Sequence, residues 1–150
     1  MAGQTSAVAW FDGDTHIRVY TAGGNEVTEQ CWDGDGPWYK GSYAGAGSMV
    51  GATSWTNGNQ VFLRVYSAVG NKIVEQCWDK DRWYTGSFTA VGESASATSW
   101  LDGDNSLHLR VYVRAADGSI TEQCWDGNGP WYVGSSKGHG TGRRSSASAA

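Results

Sequence analysis

The chain has 150 residues, enough for one domain with a modest core, and combines 22 Gly and 9 Trp with only 2 Pro and a formal net charge of −4. Three of its 11 basic residues (Lys137, Arg143, Arg144) lie in a C-terminal stretch without acids, which leaves eight against all 15 acids over residues 1–134. Such a surface repels a phosphate backbone and excludes nucleic acid as a partner; no run approaches the roughly 18 apolar residues of a membrane span, so no membrane insertion is expected.

Met1 to Phe11 shows neither a basic n-region nor an apolar h-region, so no secretory leader is expected and the chain reads as soluble, cytoplasmic or released by a non-classical route. The first predicted strand is small-sided, Ala7-Val8-Ala9-Trp10, and returns as Ala52 to Trp55 and Ala97 to Trp100. The second is Ile17-Arg18-Val19-Tyr20, repeated as Leu63 to Tyr66 and Leu109 to Tyr112. The third runs through Glu29-Gln30-Cys31-Trp32-Asp33, repeated as Glu75 to Asp79 and Glu122 to Asp126. The fourth starts at Trp38-Tyr39, Trp83-Tyr84 and Trp131-Tyr132, and Gly41, Gly86 and Gly134 follow.

All nine Trp and all three Cys fall at repeated places. Helical periodicity is absent, so the chain is all-β. A four-stranded unit of about 45 residues has the size of a propeller blade. Three blades are expected, at about 5–44, 48–90 and 94–135, with the small-sided strand innermost, where blades crowd the axis. Residues 136–150 repeat nothing; their Gly/Ser/Ala composition reads as a flexible tail, with His139 and the Arg pair as a weaker contact motif. Because propellers close with about four to eight blades, three blades imply a second copy and a six-bladed ring with two-fold symmetry. An excerpt of a longer six-bladed chain should dimerise in the same way. Cys31, Cys77 and Cys124 sit one repeat apart, too far for a disulfide, and read as free buried thiols.

Chemistry concentrates on Arg18 and Glu29. A two-residue turn at Gly23-Gly24 would set them directly opposite one another on one face; Val69-Gly70 would do the same for Arg64 and Glu75. Arg110 and Glu122 need one more loop residue, which Ala116-Asp117-Gly118 can absorb as a bulge. Taken alone, such a pair reads as a structural salt bridge. Beside each lies a Trp-Asp loop too polar for a core and too aromatic for an idle surface. Indole faces next to a planar donor fork and a carboxylate suit a sugar, with C–H groups on the ring and hydroxyls on the charges. Trp38, Trp83 and Trp131 are the stronger contacts; Trp32, Trp78 and Trp125 lie near the rim. Trp10, Trp55 and Trp100 divide evenly between packing and lining a site.

At these motifs the chain resembles the fungal fucose-specific lectins, six-bladed propellers, and their bacterial relatives with two blades per chain. The resemblance spans residues 5–135 and rests on Ile-Arg-Val-Tyr followed by Glu-Gln-Cys-Trp-Asp-Gly-x-Gly-Pro-Trp-Tyr-x-Gly. It implies non-catalytic, multivalent binding of L-fucose and fucosylated glycans on glycoproteins or glycolipids, at sites shared between adjacent blades. A first site would use Arg18, Glu29, Ser42, Trp78 and Trp83, and a second Arg64, Glu75, Ser87, Trp125 and Trp131. The third, Arg110, Glu122 and Ser135, would need Trp32 and Trp38 of a second chain. Repeat two departs from the pattern: Asp79-Lys80-Asp81-Arg82-Trp83 lacks both loop glycines and the Pro present as Pro37 and Pro130, so the first site is the least regular.

Two other classes compete. A sialidase-like propeller glycosidase gathers three arginines on one carboxylate, but repeat-equivalent arginines are spread around a ring, the Asp-box is missing, and each site offers one Glu where hydrolysis uses two carboxylates. A protein-docking scaffold is compatible with the fold alone. No cofactor and no metal are expected: Asp12-Gly13-Asp14, Asp33-Gly34-Asp35-Gly36 and Asp102-Gly103-Asp104 resemble fragments of calcium loops, but Asp-Gly is ordinary turn chemistry. His16 and His108 occupy equivalent places, with Phe62 as the third, and cannot share an ion.

Overall fold

A computed structural model of the protein describes residues 3–136. Apart from Ser136, the expected tail lies outside the described residues, as do His139, Arg143 and Arg144. Twelve strands form three antiparallel four-stranded sheets, each a simple meander, with no helix among the described residues. The first sheet contains β1 (Gln4–Phe11), β2 (Thr15–Gly23), β3 (Glu26–Asp33) and β4 (Asp35–Ala46); the second, β5 (Val50–Asn57), β6 (Gln60–Val69), β7 (Lys72–Asp79) and β8 (Trp83–Val91). The third contains β9 (Ser94–Leu101), β10 (Leu107–Arg114), β11 (Ile120–Trp125) and β12 (Tyr132–Val133).

The small-sided strands β1, β5 and β9 lie together, as their Ala and Ser content requires. Between them, side-chain oxygens replace a backbone ladder. The Ala52 N–H donates to Ser6 Oγ at 3.0 Å, Gln4 exchanges two bonds with the Val50 backbone, and Thr53 Oγ1 meets Ser99 Oγ at 2.7 Å. Larger residues would hold these strands apart: a Cβ at Gly51 would run into the Ala95 backbone.

The core lies in the seams between sheets. In one, Tyr20, Ala22, Val27 and Tyr43 of the first sheet bury against Val50 and Val65 of the second. In the other, Tyr66, Ala68, Ile73 and Phe88 bury against Val111 and Val113. The residues recur because one blade face is used twice. Fully burying such side chains contributes about 1.5–3 kcal/mol each.

The hairpin register corrects one expectation. Gly23 closes on Glu26 and Val69 on Lys72, so the turns are Gly24-Asn25 and Gly70-Asn71, one residue later than the symmetric placement about Gly23-Gly24 and Val69-Gly70. Gly24 and Asn25 both take positive φ (60° and 66°), the conformation that favours these residue types. Glu29 therefore opposes Tyr20 and Arg18 opposes Cys31. The second repeat matches this, and the third reaches the equivalent register, Tyr112 with Glu122, through a longer 115–119 loop. A shift of two positions keeps every side chain on its face, so Arg and Glu remain neighbours on one surface, on a diagonal.

Candidate functional site

Each Glu sits where the outer hairpin breaks register. Thr28 pairs with Ala44 and Gln30 with Lys40, so residues 41–43 bulge past Glu29. The bulge frees a backbone N–H: Tyr43 N donates to Glu29 Oε1 at 3.2 Å, while Tyr20 Oη donates to Oε2 at 2.8 Å. Glu75 is held the same way by Phe88 N and Tyr66 Oη. Glu122 is held by Ser136 N and Tyr112 Oη, and the Ser136 amide is the first reason its carboxyl lies below the ordinary value.

Gly41, Gly86 and Gly134 complete the cradle. A Cβ at Gly41 would lie 2.6 Å from Glu29 Cδ and 2.7 Å from Cys31 Sγ, and the other two glycines repeat this. Glu29 and Glu75 are consequently only 3% and 4% exposed. Each presents a narrow edge at the floor of its cleft.

The arginines are paired, but with a different acid from the one expected. Arg18, Arg64 and Arg110 bond Asp33, Asp79 and Asp126 at 2.8, 2.6 and 2.8 Å, and no Arg–Glu ion pair joins them to Glu29, Glu75 or Glu122 among the described residues. In each case Nη1 carries the bond, and it also donates to the preceding residue's carbonyl. Nη2 of Arg18 and Arg110 has no partner among the described residues. The guanidinium Cζ lies 4.9, 4.8 and 5.1 Å from the ring centroids of Trp10, Trp55 and Trp100. Those three indoles therefore support the arginines by cation–π contact, and Trp10 also lines a cleft.

Each Asp has further donors: Tyr39, Tyr84 and Tyr132 donate to it through short hydrogen bonds. His16 Nδ1 lies 2.6 Å from Asp33 Oδ1 with Nε2 2.8 Å from Asp12 Oδ1, and His108 bridges Asp126 and Asp102 likewise. Burial alone raises the Asp33 carboxyl, yet Tyr39, His16 and Arg18 overcome it and hold it at about 2. The Asp-Gly-Asp stretches thus have a use of their own: Asp12 and Asp102 accept from turn amides and from a histidine.

Two clefts open at the seams. The first, about 550 Å³, is lined by Arg18, Glu29 and Ser42 of the first sheet and by Trp78 and Trp83 of the second. Trp83 Nε1 donates to Ser42 Oγ across the seam at 3.3 Å, and its ring packs on Tyr43 with centroids 4.7 Å apart. The second, about 350 Å³, is lined by Arg64, Glu75 and Ser87 and by Trp125 and Trp131 of the third sheet, with Trp131 packed on Phe88 at 4.7 Å. Arg110, Glu122 and Ser135 lie on the free face of the third sheet with no following indoles. Trp32 and Trp38 lie at the opposite end, where Trp38 is 49% exposed.

Asp33, Asp79 and Asp126, together with Tyr20, Tyr66 and Tyr112, are the residues that sequence reasoning left out. Their signal was repeat invariance: each Asp follows the Trp of the third strand, and each Tyr lies two residues beyond the Arg.

Three four-stranded blades around a common inner edge, with arginine, carboxylate and indole converging at the seams, define a propeller lectin. The family described as fungal fucose-specific lectin matches residues 3–140, and this chain belongs to that family. No curated protein matches the chain. Among solved structures, a fucose lectin from Kordia zhangzhouensis in complex with methyl-fucoside is 39% identical, with a TM-score of 0.78 over 88% of this chain and 99% of that one. SapL1 lectin in complex with alpha methyl fucoside is 34% identical, TM-score 0.77, over 91% of this chain and 49% of that one. The six-bladed β-propeller lectin of Aleuria aurantia is 30% identical, TM-score 0.67, over 90% of this chain and 44% of that one. The chain thus spans nearly all of the Kordia chain and just under half of the other two.

Proposed function

We propose that the protein binds L-fucose and fucosylated glycans, on glycoproteins or glycolipids, at clefts between adjacent blades and without chemical conversion. The observation that carries this reading is the composition of the two clefts, each of which joins an Arg and a Glu of one blade to two Trp of the next. The neighbours that hold methyl-fucoside support it. The apolar face of the sugar rests on indole, and its hydroxyls bond the guanidinium and the edge of the carboxylate. The roles of Arg18, Glu29, Ser42, Trp78 and Trp83, and of their counterparts in the second cleft, follow from this reading. Glu is the one acidic residue lining either cleft, against the two carboxylates of a glycosidase, which favours binding over hydrolysis.

A third site forms when a second copy brings Trp32 and Trp38 to Arg110, Glu122 and Ser135, closing a six-bladed ring with six sites. Two unfinished ends with complementary halves of one site support this, and so does the Kordia lectin, a chain of about the same length. Six sites on one ring raise avidity for clustered glycans by about 10²–10⁴ over a single shallow site.

The test is calorimetric titration with methyl α-L-fucoside, alongside Arg64→Ala. Saturable binding whose stoichiometry falls in the variant while it stays folded supports the reading. Absence of binding by the well-folded parent protein refutes it. No helix among the described residues is long and apolar enough to cross a membrane.

A further inference from the structure

The two clefts are not equivalent, and the difference is one of charge. Lys40 and Lys80 both line the first cleft, Lys40 from the blade that supplies Arg18 and Lys80 from the blade that supplies Trp78 and Trp83. At the matching places the second cleft has Thr85 and Gly127, and the third half-site pairs Val133 with Gly34. Neither lysine forms an ion pair among the described residues, whereas Arg18 is matched by Asp33. Glu29 is the one acid in the lining, and it is buried. Asp81 and Arg82 of the same loop do not line this cleft; they line an adjoining groove that Lys80 shares with them and with Asp79. In a chain whose repeats hold 15 acids, two unmatched ammonium groups gathered in one cleft stand apart from their surroundings.

Backbone geometry adds a second observation. Lys80 has φ +79°, and Gly34 and Gly127 take φ +83° at the same place. The loop demands a left-handed residue there, which glycine adopts freely and lysine only with strain. The ammonium group therefore stands where glycine is the conformationally easy residue. The same loop has also lost a restraint: the indole N–H groups of Trp32 and Trp125 donate to Gly36 and Gly129 carbonyls at 3.2 Å, while that of Trp78 has no partner among the described residues and is free to meet a ligand.

We propose that the first cleft takes fucosylated glycans bearing an anionic group, a sulfate ester or a carboxylate, on a sugar close to the fucose, with Lys40 and Lys80 as the specificity-determining residues. This rests on the fucose reading above: the fucose fills the Arg18–Trp83 cleft, and the anion lies between the two ammonium groups at its rim. The second cleft, with Thr85 in place of Lys40, does not discriminate.

The experiment isolates the first site in an Arg64→Ala, Arg110→Ala background and titrates four ligands: methyl α-L-fucoside, a neutral fucosyl oligosaccharide, its sulfated form and its sialylated form. At low ionic strength an anionic ligand should bind about three- to tenfold more tightly than the neutral parent, with the advantage shrinking as salt is raised. Which of the two is preferred assigns the anion. Adding Lys40→Thr and Lys80→Gly, the residues that other repeats carry, should bring the anionic-to-neutral ratio to one; because a ratio is read, changes common to both ligands cancel. Equal affinities in the lysine-containing protein, or a preference that survives both substitutions, overturn the proposal while leaving the fucose reading intact. Failure to bind methyl α-L-fucoside before any substitution brings down both.

Discussion

Arg64 Nη1 and Asp79 Oδ1 meet at 2.6 Å, and the same pairing recurs at Arg18–Asp33 and Arg110–Asp126. The aspartate orients the guanidinium over its tryptophan and leaves the glutamate to another set of donors. Each blade therefore anchors its arginine and its glutamate separately, the first on an aspartate and the second on a tyrosine hydroxyl and a backbone amide.

Asp79→Asn should leave Arg64 loosely held. We expect roughly tenfold weaker fucoside binding at the second cleft, with a stability loss of only about 1 kcal/mol because the pair is partly exposed. Calorimetry in an Arg18→Ala, Arg110→Ala background reads the first, and urea unfolding the second. Unchanged affinity would mean that Arg64 needs no anchor.

Gly86→Ala places a methyl group 2.6 Å from Glu75 Cδ and 2.7 Å from Cys77 Sγ, and must push the carboxylate off the cleft floor or open the bulge. Overpacking of this kind costs about 1–3 kcal/mol, and binding at the second cleft should be lost with it. Gly103→Ala, with nothing within 4 Å and no positive φ, is the control and should melt as the parent does.

Stability should fall as pH rises through neutrality. Burial works against a charged His16, but its bonds to Asp33 and Asp12 outweigh it and raise its pKa above 6.5; Asp102 and Asp126 raise that of His108. A raised folded-state pKa means stabilisation that is complete below about 6.5 and lost as pH climbs through the higher folded value. Replacing both histidines with Phe, the residue at position 62, should flatten the thermal midpoint between pH 6 and 8. At the acid end the sign reverses: Asp33, held at about 2, stabilises above its ordinary 3.8 and ceases to as pH falls through 2.

Static light scattering should return a particle of about twice 16.1 kDa. Trp38→Ala should weaken the third site in the assembled ring while leaving the clefts of Trp83 and Trp131 intact. A folded monomer would rule out ring closure by two copies.

Burial pushes the Cys77 thiol up to about 12 and that of Cys31 up to about 11. Iodoacetamide at pH 8 should therefore leave both unmodified in the folded protein and label them only after unfolding.

Much of this architecture was legible because it is written three times. Repetition gave the blades, the inner strands with their Ala, Ser and Thr, and the free buried cysteines, whereas the grouping of Arg18 and Glu29 with Trp78 and Trp83 of the next blade came from the family resemblance. The hairpin register was not legible. Gly23-Gly24 and Gly24-Asn25 are both competent turns. The error was harmless to the face, since a two-residue shift preserves side-chain direction, but it hid the partners. Asp33 escaped for a different reason. An aspartate before glycine is so ordinary a turn residue that its role as the anchor of Arg18 emerges only when Tyr39 and His16 are seen bonded to the same carboxylate.

Side-chain oxygens of Gln4, Ser6, Thr53 and Ser99 stitch the inner strands together, while each blade satisfies its ladder internally. A seam built this way needs no peptide continuity. Parting two blades at such a joint exposes apolar surface but frees only a few backbone groups, such as those of Val50 and Ala52, so covalent and non-covalent joints can share one geometry. How many modules a single polypeptide carries then becomes a matter of where translation stops, and the finished circle is indifferent to it.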